Sequence, residues 1–170
     1  MDTTRALRRL GIILSLTGLL ITTSGCLMED LPGEGQNDEP LGEAAQPIYW
    51  NGHDYLFFLS TVTWDQAQAN CKANGYNLVS INSSAEESWL YTMQTQKGGG
   101  FWWTGYNDKG YEGVWVWDDA SPPGYTNWGP GQPDNYNGNQ NCMADNWDNN
   151  NQWNDAPCYY PLKFICERNY

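Results

Sequence analysis

Cysteines stand at positions 26, 71, 142, 158 and 166, and their placement restricts the fold more than any other feature of the chain. Four lie in the body of the chain. The fifth closes an N-terminal apolar segment. Met1 to Arg9 carries Arg5, Arg8 and Arg9 against one acid, Asp2; Leu10 to Thr22 is a greasy run; Thr23, Ser24 and Gly25 then lead to Cys26. A basic end, a short apolar core and a small-residue cut mark a secretory signal over residues 1–25. The core is shorter than the roughly 20 residues a membrane-spanning helix needs, so a permanent span is the weaker reading. Export delivers the chain to an oxidising compartment, where thiols pair. With four thiols in the body, Cys26 is the odd one out. Four cysteines alone permit three connectivities, and a zinc site is the rival use for them. The absence of Cys-x-x-Cys knuckles disfavours zinc.

Thr23-Ser24-Gly25-Cys26 resembles a bacterial lipobox, with Thr23 where leucine is usual. The resemblance implies cleavage before Cys26 and a diacylglyceryl group on its thiol; the alternative is an ordinary signal and a free Cys26. Leu27 is not the aspartate that favours inner-membrane retention, so the expected destination is the outer membrane or cell surface. Residues 26–47 read as an acidic tether. Glu29, Asp30, Glu34, Asp38, Glu39 and Glu43 alternate there with Pro32, Pro40, Pro47 and glycines. Such a segment has too little apolar surface to order itself. The formal charge of the whole chain is −12, which excludes the basic face a nucleic-acid partner requires.

Composition changes at Ile48. All 10 tryptophans and 11 tyrosines follow it, in a single loop-rich domain over residues 48–170. Tyr55–Leu59 reads as a strand. Thr63-Trp-Asp-Gln66 is a capping box opening a helix to about Ala73, stopped by Asn74-Gly75. Leu78–Ile81 is a short strand or an extended link, and Ser83-Ser-Ala-Glu86 is a second capping box opening a helix to about Gln94. Gly98–Gly100 breaks the chain. Residues 101–104, 114–117, 141–144 and 163–167 are strand candidates. Between them, residues 118–140 form a loop dense in Pro, Gly, Asn and Asp, and a loop that long in a small domain is usually functional.

These residues carry a family likeness. Thr63–Cys71, Leu78–Asn82, Trp103-Thr-Gly-Tyr106, Trp115-Val-Trp117, Asn127-Trp128, Gly131-Gln-Pro-Asp134, Cys142, Trp153-Asn-Asp155, Cys158 and Phe164-Ile-Cys-Glu167 occur in the order and spacing of a C-type lectin domain. The chain resembles that family over residues 49–168. The resemblance implies an α+β fold with two helices, small antiparallel sheets and a long irregular loop region. It also implies disulfides Cys71–Cys166 and Cys142–Cys158.

The same resemblance implies a calcium site built from Gln132, Asp134, Gln140, Asn154 and Asp155. Calcium takes about 6–8 oxygen ligands, which these side chains can supply. In relatives Pro133 is usually cis and turns both neighbouring side chains to one ion, and two vicinal sugar hydroxyls coordinate it. The sugar-binding residues are then Gln132, Asp134, Tyr136 and Asn154. The order Gln-Pro-Asp is associated with galactose-type sugars, and Tyr136 falls where an aromatic stacks on the sugar's apolar face; it reads equally as an ordinary loop tyrosine. Gln140 replaces the usual glutamate, so the set holds two negative charges where relatives hold three. A weaker site, or a domain that has lost its ion, follows from that count. An auxiliary calcium site would use Asp108, Glu112, Asn135 and Asn141; the blander reading is that they stabilise loops. Trp103, Trp115, Trp117, Trp128 and Trp153 read as core, and Trp147 stands in a polar loop.

No enzyme is expected. His53 is the one histidine and stands near no nucleophile motif. Adjacent Asp118 and Asp119 would face opposite ways on a strand, so a surface turn is the simpler reading of the pair. The expectation is a calcium-dependent, galactose-type lectin on a lipid-anchored surface protein. The alternative is a calcium-independent module that binds a protein partner through the same loops.

Overall fold

The structure, a computed structural model, describes residues 46–170. The predicted signal peptide, Cys26 and the tether up to residue 45 lie outside the described residues.

The chain enters with a hairpin. Strand β1 (Ile48–Trp50) turns through Asn51-Gly52, both at positive φ, into β2 (His53–Val62). Asn-Gly between apolar runs is the residue pair such a two-residue turn favours. That signal stands in the sequence beside Tyr55–Leu59, where only the second strand is expected. Helix α1 (Trp64–Ala73) follows, with the predicted capping box complete: Thr63 Oγ1 accepts from Gln66 N, and Gln66 Oε1 accepts from Thr63 N. Next come β3 (Asn77–Leu78), α2 (Ser84–Gln96), β4 (Trp102–Asn107), β5 (Cys142–Asp145), β6 (Asn154–Ala156) and β7 (Leu162–Asn169). The strands form one sheet ordered β1-β2-β7-β4-β5-β6, with β3 also on β7. All pairs are antiparallel except β4 with β7. The fold is the expected α+β arrangement.

Three local expectations are corrected. Residues 114–117 make no strand. Val114 and Val116 face solvent and Trp117 faces the core, as alternation demands, but only Asn107 and Val116 pair. The alternation there reports side-chain burial and not a ladder. The second capping box is half made: Ser83 Oγ accepts from Glu86 N, yet the Glu86 carboxylate passes Ser83 by. It accepts instead from Asn82 N and the Tyr55 hydroxyl, both at 2.8 Å. Asp118 is no surface carboxylate. It accepts from Gln68 Nε2 (2.6 Å) and Leu78 N (3.2 Å) and pairs with Lys72 (3.1 Å), tying α1 to β3. Asp119 faces elsewhere and caps Ser121 N.

Apolar clusters fill both faces of the sheet. Leu56, Phe58, Trp64, Leu78, Trp103 and Phe164 pack on the α1 side; Phe57, Ile81, Leu90, Trp102, Trp153 and Ile165 pack on the other. The disulfides are Cys71–Cys166, which pins α1 to β7, and Cys142–Cys158, which pins β5 to the segment after β6. Their separations of 95 and 16 residues correspond to about 4–5 and about 3 kcal/mol of unfolded-chain restriction.

Helix α2 departs from a simple apolar stripe, since it buries Glu86, Glu87, Leu90 and Gln94. Glu87 Oε2 accepts from Trp153 Nε1 at 2.9 Å, and Gln94 Nε2 donates to Asp145 Oδ2 at 2.6 Å. Burial, with the Asp145 carboxylate next in order, pushes Glu87 up to about 10. Glu87 is therefore protonated at neutral pH. Its unfolded value lies near 4.5, so the stabilisation is full below that pH and is lost as pH rises toward 10. Glu87→Gln keeps the shape and an acceptor for Trp153. The melting temperature of the wild type should fall more steeply between pH 6 and pH 9 than that of the variant. Glu167, raised to about 7 chiefly by burial, adds the same slope to both proteins. Parallel curves would show that Glu87 carries no folded-state proton.

Candidate functional site

The long loop is fastened to the sheet beside β6. Trp128 and Trp153 form a parallel bridge: Trp153 N donates to Asn127 O and Gly129 N to Trp153 O, both at 2.9 Å. Around this seam Tyr106, Trp115, Trp117, Trp128 and Trp153 stack and cross at ring-centroid distances of 4.3–6.1 Å. The five tryptophans read as core are core: Trp103, Trp117 and Trp153 are buried, and Trp115 and Trp128 are half-buried against the same cluster. A rigid aromatic wall thus holds the residue that precedes Asn154 and Asp155.

From that seam the chain turns sharply. Gln132 N donates to Gly129 O (3.0 Å), and the Gln132–Pro133 peptide is cis. Gln132 Oε1 then accepts from Asp134 N (3.1 Å). Asp155, fully buried in β6, receives the loop. Its Oδ1 accepts from Asp134 N at 3.1 Å and its Oδ2 from Asn135 N at 2.7 Å. Burial raises the Asp155 carboxyl above the usual carboxylate range, while those two backbone donors pull the other way. Asn135 is left-handed (φ 42°) and starts a 3-10 turn over Tyr136–Gly138. Asparagine tolerates that conformation better than most residues.

Gln140 closes the loop. Its Nε2 donates to Asp155 O (2.8 Å), its Oε1 accepts from Tyr136 N (2.5 Å), and its backbone N–H donates to Asn135 Oδ1 (3.1 Å). Asn154 Nδ2 also donates to Asp155 O. Gln132, Asp134, Gln140, Asn154 and Asp155 are therefore linked, directly or through one backbone N–H, around Asp155. Tyr136 stands 67% exposed, with its N–H also on Asp134 Oδ1 at 3.1 Å. Among the described residues, no three His, Cys, Asp or Glu side chains gather to hold a metal; the acids of this group are Asp134 and Asp155. The remaining donors are amides. An all-oxygen set of two carboxylates and three amides fits a hard cation such as calcium in kind, and its charge of −2 is modest.

The four residues assigned to an auxiliary site divide. Asp108 is buried, accepts from Gly113 N through Oδ2 (2.7 Å), and leaves Oδ1 without a partner. Asn141 lies beside it, with Asp108 N on Asn141 O at 3.2 Å and its own buried Oδ1 unpartnered. Glu112 is exposed in the turn that Asp108 closes. Asn135 belongs to the Asp155 group. His53 is remote from both groups, with its Nδ1 at 2.5 Å from Glu167 Oε1.

Sequence reasoning placed Trp147 in a polar loop and did not anticipate the left-handed backbone of residues 146–151. Asn146, Asp148, Asn149 and Asn151 all have positive φ there, and Trp147 stacks on Phe101 (4.4 Å, 20°). The signal was the Asn/Asp run itself, since these residues adopt left-handed backbone readily. The loop, with Gly129, Pro130 and Gln132 opposite, borders a cleft of about 180 Å³ that touches Asn154.

Comparison with known proteins agrees with this architecture. Residues 60–168 match the family model described as the Lectin C-type domain. The versican core protein of Rattus norvegicus is 36% identical over 120 residues, which is 70% of this chain and 4% of that protein. The chain thus spans only a small fraction of the curated relative it matches. The mouse scavenger receptor C-type lectin carbohydrate-recognition domain superposes with a TM-score of 0.66 at 32% identity, covering 72% of this chain and 93% of that one. A calcium-independent type II antifreeze protein superposes with a TM-score of 0.67 at 27% identity, covering 74% and 92%.

The Asp155 carboxylate sets a prediction. Removing it in Asp155→Ala strands the Asn135 N–H and leaves Asp134 N only Gln132 Oε1, a loss of about 1–3 kcal/mol. The melting temperature should drop by several degrees, and the amides of residues 134 and 135 should exchange faster than those of β2. Unchanged exchange at those two amides would show that the loop is held by other contacts.

Proposed function

The chain belongs to the C-type lectin domain family, a family of binding modules for glycans or proteins, and from that premise we propose that it is a calcium-dependent, galactose-type lectin. The observation that carries the reading is the gathering of the oxygen-bearing side chains of Gln132, Asp134, Gln140 and Asn154 around Asp155. Asp134 N donates to its carboxylate, Gln132 Oε1 accepts from the same N–H, and the Gln140 and Asn154 amides donate to its backbone carbonyl. A bound calcium ion would supply a positive centre for two vicinal sugar hydroxyls. The protein's own part is hydrogen bonding and shape. The Asp134 carboxylate can only accept, whereas the Gln132 amide both donates and accepts, so the hydroxyl pair meets a fixed order of partners. Exposed Tyr136 offers a ring face to the sugar's C–H surface. The pair Asp108 and Asn141, each with a buried unpartnered oxygen, supports a second cation position.

We also read the chain as exported and anchored. Residues 1–25 serve as the signal peptide, Cys26 carries the lipid, residues 26–47 are the spacer, and residues 48–170 present the binding loops at the outer membrane or cell surface. In a bacterial host, Cys26→Ser should move the protein from the membrane fraction to the soluble one.

A specific observation favours the second reading, a calcium-independent protein-binding module. Gln140 Nε2 donates to Asp155 O, a bond a glutamate carboxylate could not make, so the loop is knitted together without an ion. A calcium-independent antifreeze protein shares the fold.

The two readings separate on a galactose resin. The lectin is retained in calcium and released by EDTA, and Asp134→Ala should weaken retention by about tenfold or more, the scale of one lost charged hydrogen bond. Gln140→Glu removes the amide bond and adds a third charge. It should lower the melting temperature in chelator and enlarge the rise that calcium produces. A melting temperature indifferent to millimolar calcium in both proteins would favour the module that needs no ion.

A further inference from the structure

We propose that the cleft between the 129–132 turn and the 146–152 loop is a second-sugar subsite, so that the chain reads an uncharged disaccharide unit in place of a single sugar. The inference rests on the carbohydrate reading and extends it, because Gln132 and Asn154 belong both to the candidate primary site and to the wall of the cleft. A ring linked to a sugar held at Asp134 and Asn154 therefore lies beside this space.

The cleft has the chemistry of a sugar site. Its wall combines two tryptophans, Trp147 and the fully buried Trp153, with the amides of Asn150 and Gln152 and the carboxylate of Asp148. Phe101 covers part of the Trp147 ring, and the half-exposed remainder contributes to the wall. An aromatic surface with a few polar groups around it is how a protein grips a ring that has one apolar side and an edge of hydroxyls. About 180 Å³ is well below the roughly 300–1,000 Å³ that encloses a drug-sized ligand, so the space suits one ring and not a longer chain.

The wall is also built in advance. Buried Asn146 donates through Nδ2 to Gly100 O (3.1 Å), Asn149 Oδ1 accepts from Gly100 N (2.9 Å), and Trp147 N donates to Gln152 O (2.9 Å). Asn150 Nδ2 reaches Gln152 Oε1 at 3.0 Å. A loop fixed at both ends loses little freedom when a ligand arrives, which is the main cost such sites otherwise carry. Charge sets the class of ligand. Among the described residues no Lys, Arg or His lines the cleft, Asp148 does, and the whole chain is at −12. A uronate, sialate or sulfated ring meets repulsion there, and a neutral hexose or N-acetylhexosamine does not.

The test is calorimetry in calcium on the mature chain. Methyl β-galactoside is compared with galactosyl disaccharides whose second ring is glucose, N-acetylglucosamine, galactose or glucuronic acid. At least one neutral disaccharide should bind about tenfold tighter than methyl β-galactoside, and the glucuronic acid ring should bring no gain. Trp147→Ala should erase the gain while methyl β-galactoside binds as before; Trp147→Phe should keep most of it. Asp148→Asn, at an exposed position, should let the glucuronic acid ring recover part of the gain. If methyl β-galactoside binds and no second ring improves it, the subsite is overturned and the lectin reading stands. The subsite is likewise overturned if Trp147→Ala weakens single and double sugars equally. If no sugar binds in calcium, the lectin reading falls and the subsite falls with it.

Discussion

A carboxylate taken out of water must be matched by hydrogen-bond donors, and at Asp155 the donors are backbone N–H groups of the long loop. Asp134 N and Asn135 N meet the two oxygens of one side chain on β6. The site's geometry follows from that demand. The loop cannot shift by a residue without leaving a buried charge unmatched, at a cost of several kcal/mol. Gln140 and Asn154 then converge on the carbonyl of the same residue. One strand of three residues thus acts as the reference point for a loop of more than twenty.

The reference point is itself held from below. Trp153 immediately precedes Asn154, and its indole N–H rests on Glu87, the helix residue whose burial keeps a proton at neutral pH. Two acids of opposite habit therefore bracket the same short strand. Glu87 is neutral and faces the aromatic core; Asp155 is saturated with backbone donors and faces the loop. The disulfide Cys142–Cys158 joins β5 to the segment just after β6, a second tie between these neighbours beside their ladder. These ties fix the short strand on which the exposed loop rests.

The parts of the fold set by local chemistry were legible in the sequence. Thr63 and Gln66 specified the start of α1, and the ordered cysteines and tryptophans specified the family, whose disulfide pairing the structure has. What escaped was set by partners distant along the chain. Glu86 looked like half of a capping box, but Tyr55, 31 residues away, offers a buried donor, and the carboxylate turns to it and to Asn82 N. Residues 114–117 alternate like a strand because tryptophans fill a core there, and alternation alone does not say whether a neighbour is in reach to pair. Asn154-Asp-Ala156 has no strand propensity and is a strand because β5 supplies its partner. The candidate site residues at 132–155 came from a motif. The bond that Gln140 makes could not be read from that motif, since a substitution read only as a lost charge is also a gained donor.

That gained donor bears on how such a site evolves its ion dependence. A glutamate at position 140 would put a carboxylate against the Asp155 carbonyl and need a cation between them; a glutamine satisfies the carbonyl directly at 2.8 Å. The same amide oxygen accepts from Tyr136 N, so one residue serves both the strand and the turn that carries the exposed ring. Part of the loop is therefore held by hydrogen bonds within the chain, and a cation has less reorganisation to drive and less charge to attract it. Low charge weakens binding, while a preformed cage strengthens it by sparing the ordering of the loop. These opposing effects meet at one side chain, and the balance between them decides whether this loop works as a calcium-gated site or as a permanently formed one.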